Sequence, residues 1–203
     1  MEVIDKYLTL SGLSEGIYKE KGSKFISYAV PCYSPEEAKE HLIKWRKQHH
    51  TARHVCYAYR FGLKKDIYRA NDDGEPSNSA GVPILGQIQS ADLTNVLIGV
   101  VRYFGGTKLG VGGLVSAYKT AAKEAIQNGE IIEKQVFWHY KLAFEYTIMP
   151  EIMSVLKSLN AVIEQQQFEL NCSIQVALEA ARTDSFFHKT ELLAIEITDL
   201  GIY

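Results

Sequence analysis

The stretch NVLIGVVRYF, from Asn95 to Phe104, is the most continuous apolar run in the chain. A short apolar run bounded by turn residues predicts a central strand covered on both faces. Five glycines follow among the nine residues Gly105–Gly113. After them LVSAYKTAAKEAIQ places Leu114, Ala117, Tyr118, Ala121 and Ala125 on one helical face. Strand, glycine loop and helix in succession is an arrangement that often holds a phosphate.

Neither nucleotide signature is complete there. A dinucleotide fingerprint needs glycine at the position of Val115, and a Walker loop needs Lys and Ser/Thr where Val111 and Gly112 stand. Two readings stay open. In one, the glycine backbone is presented to an anion, with Lys108 adding charge and Tyr103 or Phe104 stacking on a base. In the other, the loop is a turn packed against the protein's own backbone.

The rest of the front half reads as alternating elements. Residues 15–32 predict two strands joined at Lys21-Gly22-Ser23. Ser34, Pro35 and Glu37 form the N-cap, first turn and capping box of a helix with Ala38, Leu42 and Trp45 on one face. HVCYAYRFG alternates as a strand, NDDGEPSNSAG is loop chemistry, and VPILGQIQSAD predicts a short helix. The second half reads strand, helix, strand, strand, helix, strand, a ferredoxin-like β-α-β-β-α-β order.

A length of 203 residues suits two small domains. Charge supports the same division. Lys and Arg exceed Asp and Glu by 17 to 14 up to Glu130 and trail them by 5 to 10 afterwards. The expected domains are 1–130 and 135–203, with a linker near Gly129–Gln135, and the fold class is α+β. A net charge of −2 argues against a strongly basic, tail-like nucleic-acid binder, so any such footprint is local.

The motifs exclude more than they nominate. Cys32, Cys56 and Cys172 lack any zinc or iron–sulfur spacing and are expected as buried free thiols. Asp72, Asp73 and Glu75 miss the calcium-loop spacing, and His50 and His54 enclose Thr51 where a zinc protease needs Glu. No metal, cofactor or catalytic nucleophile is nominated. The first residues carry acids and no long apolar run, and no stretch reaches membrane-spanning length, so a soluble cytoplasmic protein is expected.

The segments ARHVCYAYRFG, NDDGEPSNSAGVPIL and VVRYFGGTKLGVGGLVSAY, in that order, resemble the YigZ/IMPACT family over roughly Glu15 to Asn128. The family positions kept here are Arg53, His54, Tyr57, Asp72, Asp73, Gly74, Glu75, Pro76, Ala80, Gly81, Arg102, Gly105, Gly106, Gly110, Gly112 and Gly113. The resemblance implies a front domain folded like the second domain of a small-subunit ribosomal protein. It also implies a rear ferredoxin-like domain similar to the fifth domain of the translocating elongation factor. Eukaryotic members regulate translation under stress by competing for the activator of an initiation-factor kinase. The resemblance supplies no catalytic residue.

Three functions follow as expectations. The first is a non-enzymatic, translation-linked module that binds RNA or the ribosome. Its surface would be Arg53, Arg102, Lys108 and the glycine backbone at Gly105, Gly106, Gly110, Gly112 and Gly113, with Tyr103 as a stacking platform. The second is an enzyme or small-ligand protein with a pocket of His54, Asp72, Asp73, Glu75 and Arg102 under the glycine turn, with Gly74 among the candidate ligand-binding residues. The third is a regulator that acts by contacting another protein.

Overall fold

In a computed structural model the chain is described over residues 4–169 and 171–202. It divides into two compact units. One is Leu8–Glu133; the other is Lys134–Tyr203 with Met1–Tyr7, within the described residues. Strand β1 (Lys6–Leu10) pairs with a strand at Ile131–Gln135, and the division falls inside both strands. The stretch expected as a linker is thus a paired strand over most of its length. Both strands are five residues long and half-exposed, too short to read from periodicity.

The front unit continues with β2 (Ser14–Glu20), β3 (Ser23–Pro31), α1 (Pro35–Gln48), β4 (His54–Phe61), β5 (Ile67–Asn71), α2 (Gly81–Ser90), β6 (Val96–Tyr103) and α3 (Gly110–Asn128). Its sheet has the order β2-β3-β6-β4-β5, antiparallel throughout, with the apolar run as the middle strand. Helices cover both faces. Ile98 and Val100 of β6 pack with Cys56, Ala58 and the inner faces of α2 and α3. Leu97 and Val101 pack on the other side with Tyr59, Phe61 and Trp45 of α1. This two-sided burial is why β6 reads as a continuous apolar run rather than an alternating one.

Local signals are honoured where the chemistry is short-range. Lys21 and Gly22 have φ of 44° and 80°, so β2 and β3 turn through a two-residue hairpin loop. Ser34 Oγ accepts the Glu37 N–H at 3.1 Å. The Glu37 carboxylate accepts the Tyr33 N–H at 2.8 Å, one residue before the N-cap.

The strand at Ile131–Gln135 is β7. The rear unit then runs β8 (Phe137–Glu145), α4 (Met149–Ser158), β9 (Val162–Gln167), β10 (Asn171–Glu179), α5 (Thr183–Thr190) and β11 (Ile195–Ile202). The sheet order β11-β8-β10-β9, all antiparallel, is the ferredoxin-like arrangement expected from the element order. Tyr140, Leu142 and Phe144 pack with Ile174, Val176, Ile152, Leu156 and Phe186 in its core. The molecule is a two-domain α+β protein. All three cysteines are buried and unpaired, and no helix among the described residues is long and apolar enough to cross a membrane.

Candidate functional site: a cationic pocket at the start of helix α3

The site begins with strand register. Arg102 of β6 stands opposite Phe25 of β3 and His54 of β4, so the three side chains form a row on one face of the sheet. Alternation sends the next residue, Tyr103, to the other face. There its hydroxyl meets His49 Nδ1 at 2.8 Å, and its ring packs with the α1-side core. Tyr103 therefore does not stand beside Arg102 as a stacking platform. Phe104 takes that position, with the Arg102 guanidinium 5.6 Å from its ring centre.

The acidic loop is held by its own aspartates. Asp72 accepts the N–H groups of Asn78, Ala80 and Gly81 at 2.8–2.9 Å and so anchors the start of α2. Asp73 accepts the Val55 N–H and an Arg46 N–H, both at 2.6 Å. Its carbonyl oxygen lies 2.8 Å from His54 Nδ1. A carbonyl only accepts, so His54 Nδ1 carries the hydrogen and Nε2 is left for another partner. Asp73 and Gly74 both have positive φ, 43° and 86°, and this sharp bend delivers Glu75 to Arg102.

Glu75 Oε1 accepts from Arg102 Nη1 at 2.7 Å and from the Tyr118 hydroxyl at 2.8 Å. Its side chain is 4% exposed and that of Arg102 is 9% exposed. Burial, with Cys56 and Glu75 alongside, pushes the Tyr118 phenol up, so it remains a donor. Burial likewise pushes the Cys56 thiol up, and its Sγ donates to the Asp72 carbonyl. A thiol held protonated is a poor nucleophile. The pocket expected from His54, Asp72, Asp73, Glu75 and Arg102 is thus assembled only in part. His54, Glu75 and Arg102 share a cavity, whereas Asp72 is spent on backbone N–H groups and Asp73 on the Val55 N–H and Arg46.

The glycine loop divides between its two readings. A Cβ on Gly105 would overlap the backbone of Gly22 and Ser23, so Gly105 is a packing residue against the β2–β3 hairpin. Gly106 and Gly110 adopt φ of 87° and 71° with open space around them. Gly112 has no positive φ, and a Cβ placed there would meet nothing within 4 Å beyond its own helix backbone. Helix α3 starts at Gly110, no side chain caps it, and its first turn holds no acid. The first N–H groups of a helix have no partner within it and carry partial positive charge.

These parts enclose a cavity of about 420 Å³. Arg53, His54, Glu75, Arg102 and Lys108 supply its polar wall. Pro76, Phe104, Leu109, Val111 and Leu114 supply an apolar one beside Gly110. Arg53 and Lys108 are exposed and make no hydrogen bond or ion pair among the described residues. Leu114, part of that apolar wall, read in the sequence simply as the core face of α3. Among the described residues no cluster of His, Cys, Asp or Glu is placed to hold a metal.

Gly12-Leu13-Ser14-Glu15-Gly16 matches the spacing G-x-S-x-G. Ser14 opens a strand, is buried, and donates to the Ala125 carbonyl at 2.7 Å. A nucleophile elbow exposes its serine on a strand-to-helix turn, and Ser14 has neither property.

Residues 21–126 match the family model described as the Impact N-terminal domain. The chain is 32% identical over 184 residues to IMPACT family member YvyE of Bacillus subtilis, covering 91% of this chain and 85% of that one. It is 33% identical over 186 residues to IMPACT family member YigZ of Escherichia coli, covering 87% and 91%. A crystal structure described as that of a hypothetical protein superposes with a TM-score of 0.73 at 28% identity, over 95% of this chain and 96% of that one.

Proposed function

Because the chain belongs to the IMPACT family, we propose that it is a cytoplasmic, translation-linked regulatory protein that binds RNA or the ribosome through its front unit. The observation that carries the reading is the cavity beside α3. Two unpaired exposed cations, Arg53 and Lys108, flank an uncapped helix N-terminus there. A phosphate bound at this place would gain both the helix N–H groups and the side-chain charge. Phe104, 54% exposed on the cavity wall, offers a face on which a base can stack. The acids that an enzyme reading would require are occupied: Asp72 with backbone N–H groups, Asp73 with the Val55 N–H and Arg46, Glu75 with Arg102 and Tyr118.

Co-sedimentation with ribosomal particles across a salt series tests the reading. Wild-type protein should travel with particles at low salt and be released at high salt, because phosphate contacts displace counterions. The pair Arg53→Glu and Lys108→Glu should remove the low-salt association while leaving the fold intact. Migration as free protein at every salt concentration overturns the proposal. It would direct attention to a protein partner.

A further inference from the structure

We infer that the cavity beside α3 is a receptor for a single terminal phosphate, a phosphate monoester carried on a flat or apolar body, rather than a groove that tracks a run of backbone phosphodiesters. The inference rests on reading the cavity as an anion site, but not on the ribosome being the partner.

Charge is the first argument. Glu75 offsets Arg102, which leaves Arg53, Lys108 and the start of α3 without a counter-charge in the cavity. Two cations and a helix end together complement the charge of about −1.5 to −2 on a monoester near neutral pH. A diester carries about half of that, and a backbone-tracking surface needs a series of cations along its length. The front half's small excess of Lys and Arg, 17 against 14, leaves little for such a series.

Shape and polarity are the second. A volume of about 420 Å³ matches a discrete small-ligand pocket. The cationic end adjoins Phe104, Leu109 and Val111, and Phe104 and Val111 are 54% and 56% exposed. A free anion makes no use of that wall; a phosphate attached to a ring or an apolar body covers it.

One feature lacks any explanation in the protein's own packing. Arg102 lines the cavity and is nine-tenths buried, yet its Nε has no hydrogen-bond partner. A buried unsatisfied donor of a charged group is costly unless something completes it.

The test uses the full chain and paired probes. One pair is a short single-stranded RNA with a 5′-phosphate and the same RNA with a 5′-hydroxyl. The second pair is adenosine 5′-monophosphate and adenosine, with inorganic phosphate alone beside them. Affinity is read by calorimetry and stability by thermal unfolding. The expected result is at least roughly tenfold tighter binding of each phosphorylated member than of its partner. Arg53→Ala and Lys108→Ala should abolish the preference.

Equal affinity for phosphorylated and hydroxyl RNA, lost in Lys108→Ala, overturns this inference and leaves RNA binding standing. Binding of the mononucleotide without any RNA binding supports the terminal-phosphate pocket and removes RNA as its partner. Inorganic phosphate stabilising as strongly as the mononucleotide overturns the role of the apolar wall. No response to any probe overturns both readings.

Discussion

Arg102 and Glu75 form an ion pair at 2.7 Å in which both side chains are more than nine-tenths buried. The pair joins the middle strand to the acidic loop, and Tyr118 extends it to α3. Removing one member of a buried pair leaves the other charge unpaired in a poorly solvated place. Glu75→Ala and Arg102→Ala should each destabilise the front unit by about 3–5 kcal/mol. The double variant should cost clearly less than the sum of the two. Urea denaturation read by Trp45 fluorescence, with Trp138 of the rear unit replaced by Phe, reports the front unit specifically. Additive losses would show that the pair contributes little beyond its separate side chains.

Gly105 and Gly106 are neighbours with different reasons to be glycine. Gly105 is pressed against the Gly22 backbone, whereas Gly106 stands free with φ of 87°. Gly106→Ala meets only backbone strain and should cost about 1–2 kcal/mol. Gly105→Ala must displace the β2–β3 hairpin and should cost more, at the upper end of the roughly 1–3 kcal/mol typical of overpacking or beyond it. The same denaturation measurement ranks them. A reversed order would mean that the hairpin yields easily at Gly22.

How much of this was legible in the sequence depended on the range of the interaction. The helix cap at Ser34, the Lys21-Gly22 turn and the element order of the rear unit are local patterns, and they read correctly. β1, β5 and β7 are five-residue strands whose existence depends on distant partners, so composition alone left them unmarked. Arg102, His54 and Glu75 could be grouped as candidates, but the distinction between Tyr103 and Phe104 required knowing which face of β6 carries Arg102. Asp72 and Asp73 carry the same side chain as a catalytic acid. Only the geometry of their N–H partners reveals that they hold the loop.

His49 carries a testable pH dependence away from the cavity. Its ring nitrogens lie 2.7 Å from the Tyr28 hydroxyl and 2.8 Å from the Tyr103 hydroxyl, and the residue is 8% exposed. Burial lowers its pKa below the ordinary 6.5. The sign follows directly. Above the unfolded pKa neither state holds the proton, and the group contributes no pH dependence. As the pH falls through about 6.5 the unfolded chain takes the proton first, so stability declines until the lowered folded pKa is passed. His49→Phe should therefore cost more stability at about pH 7.5 than at about pH 5.5, because at the lower pH it also removes the penalty of keeping a buried imidazole neutral. Urea denaturation of wild type and variant at the two pH values measures this difference. An equal cost at both would mean that the imidazole protonates as readily between the two tyrosines as it does in the unfolded chain.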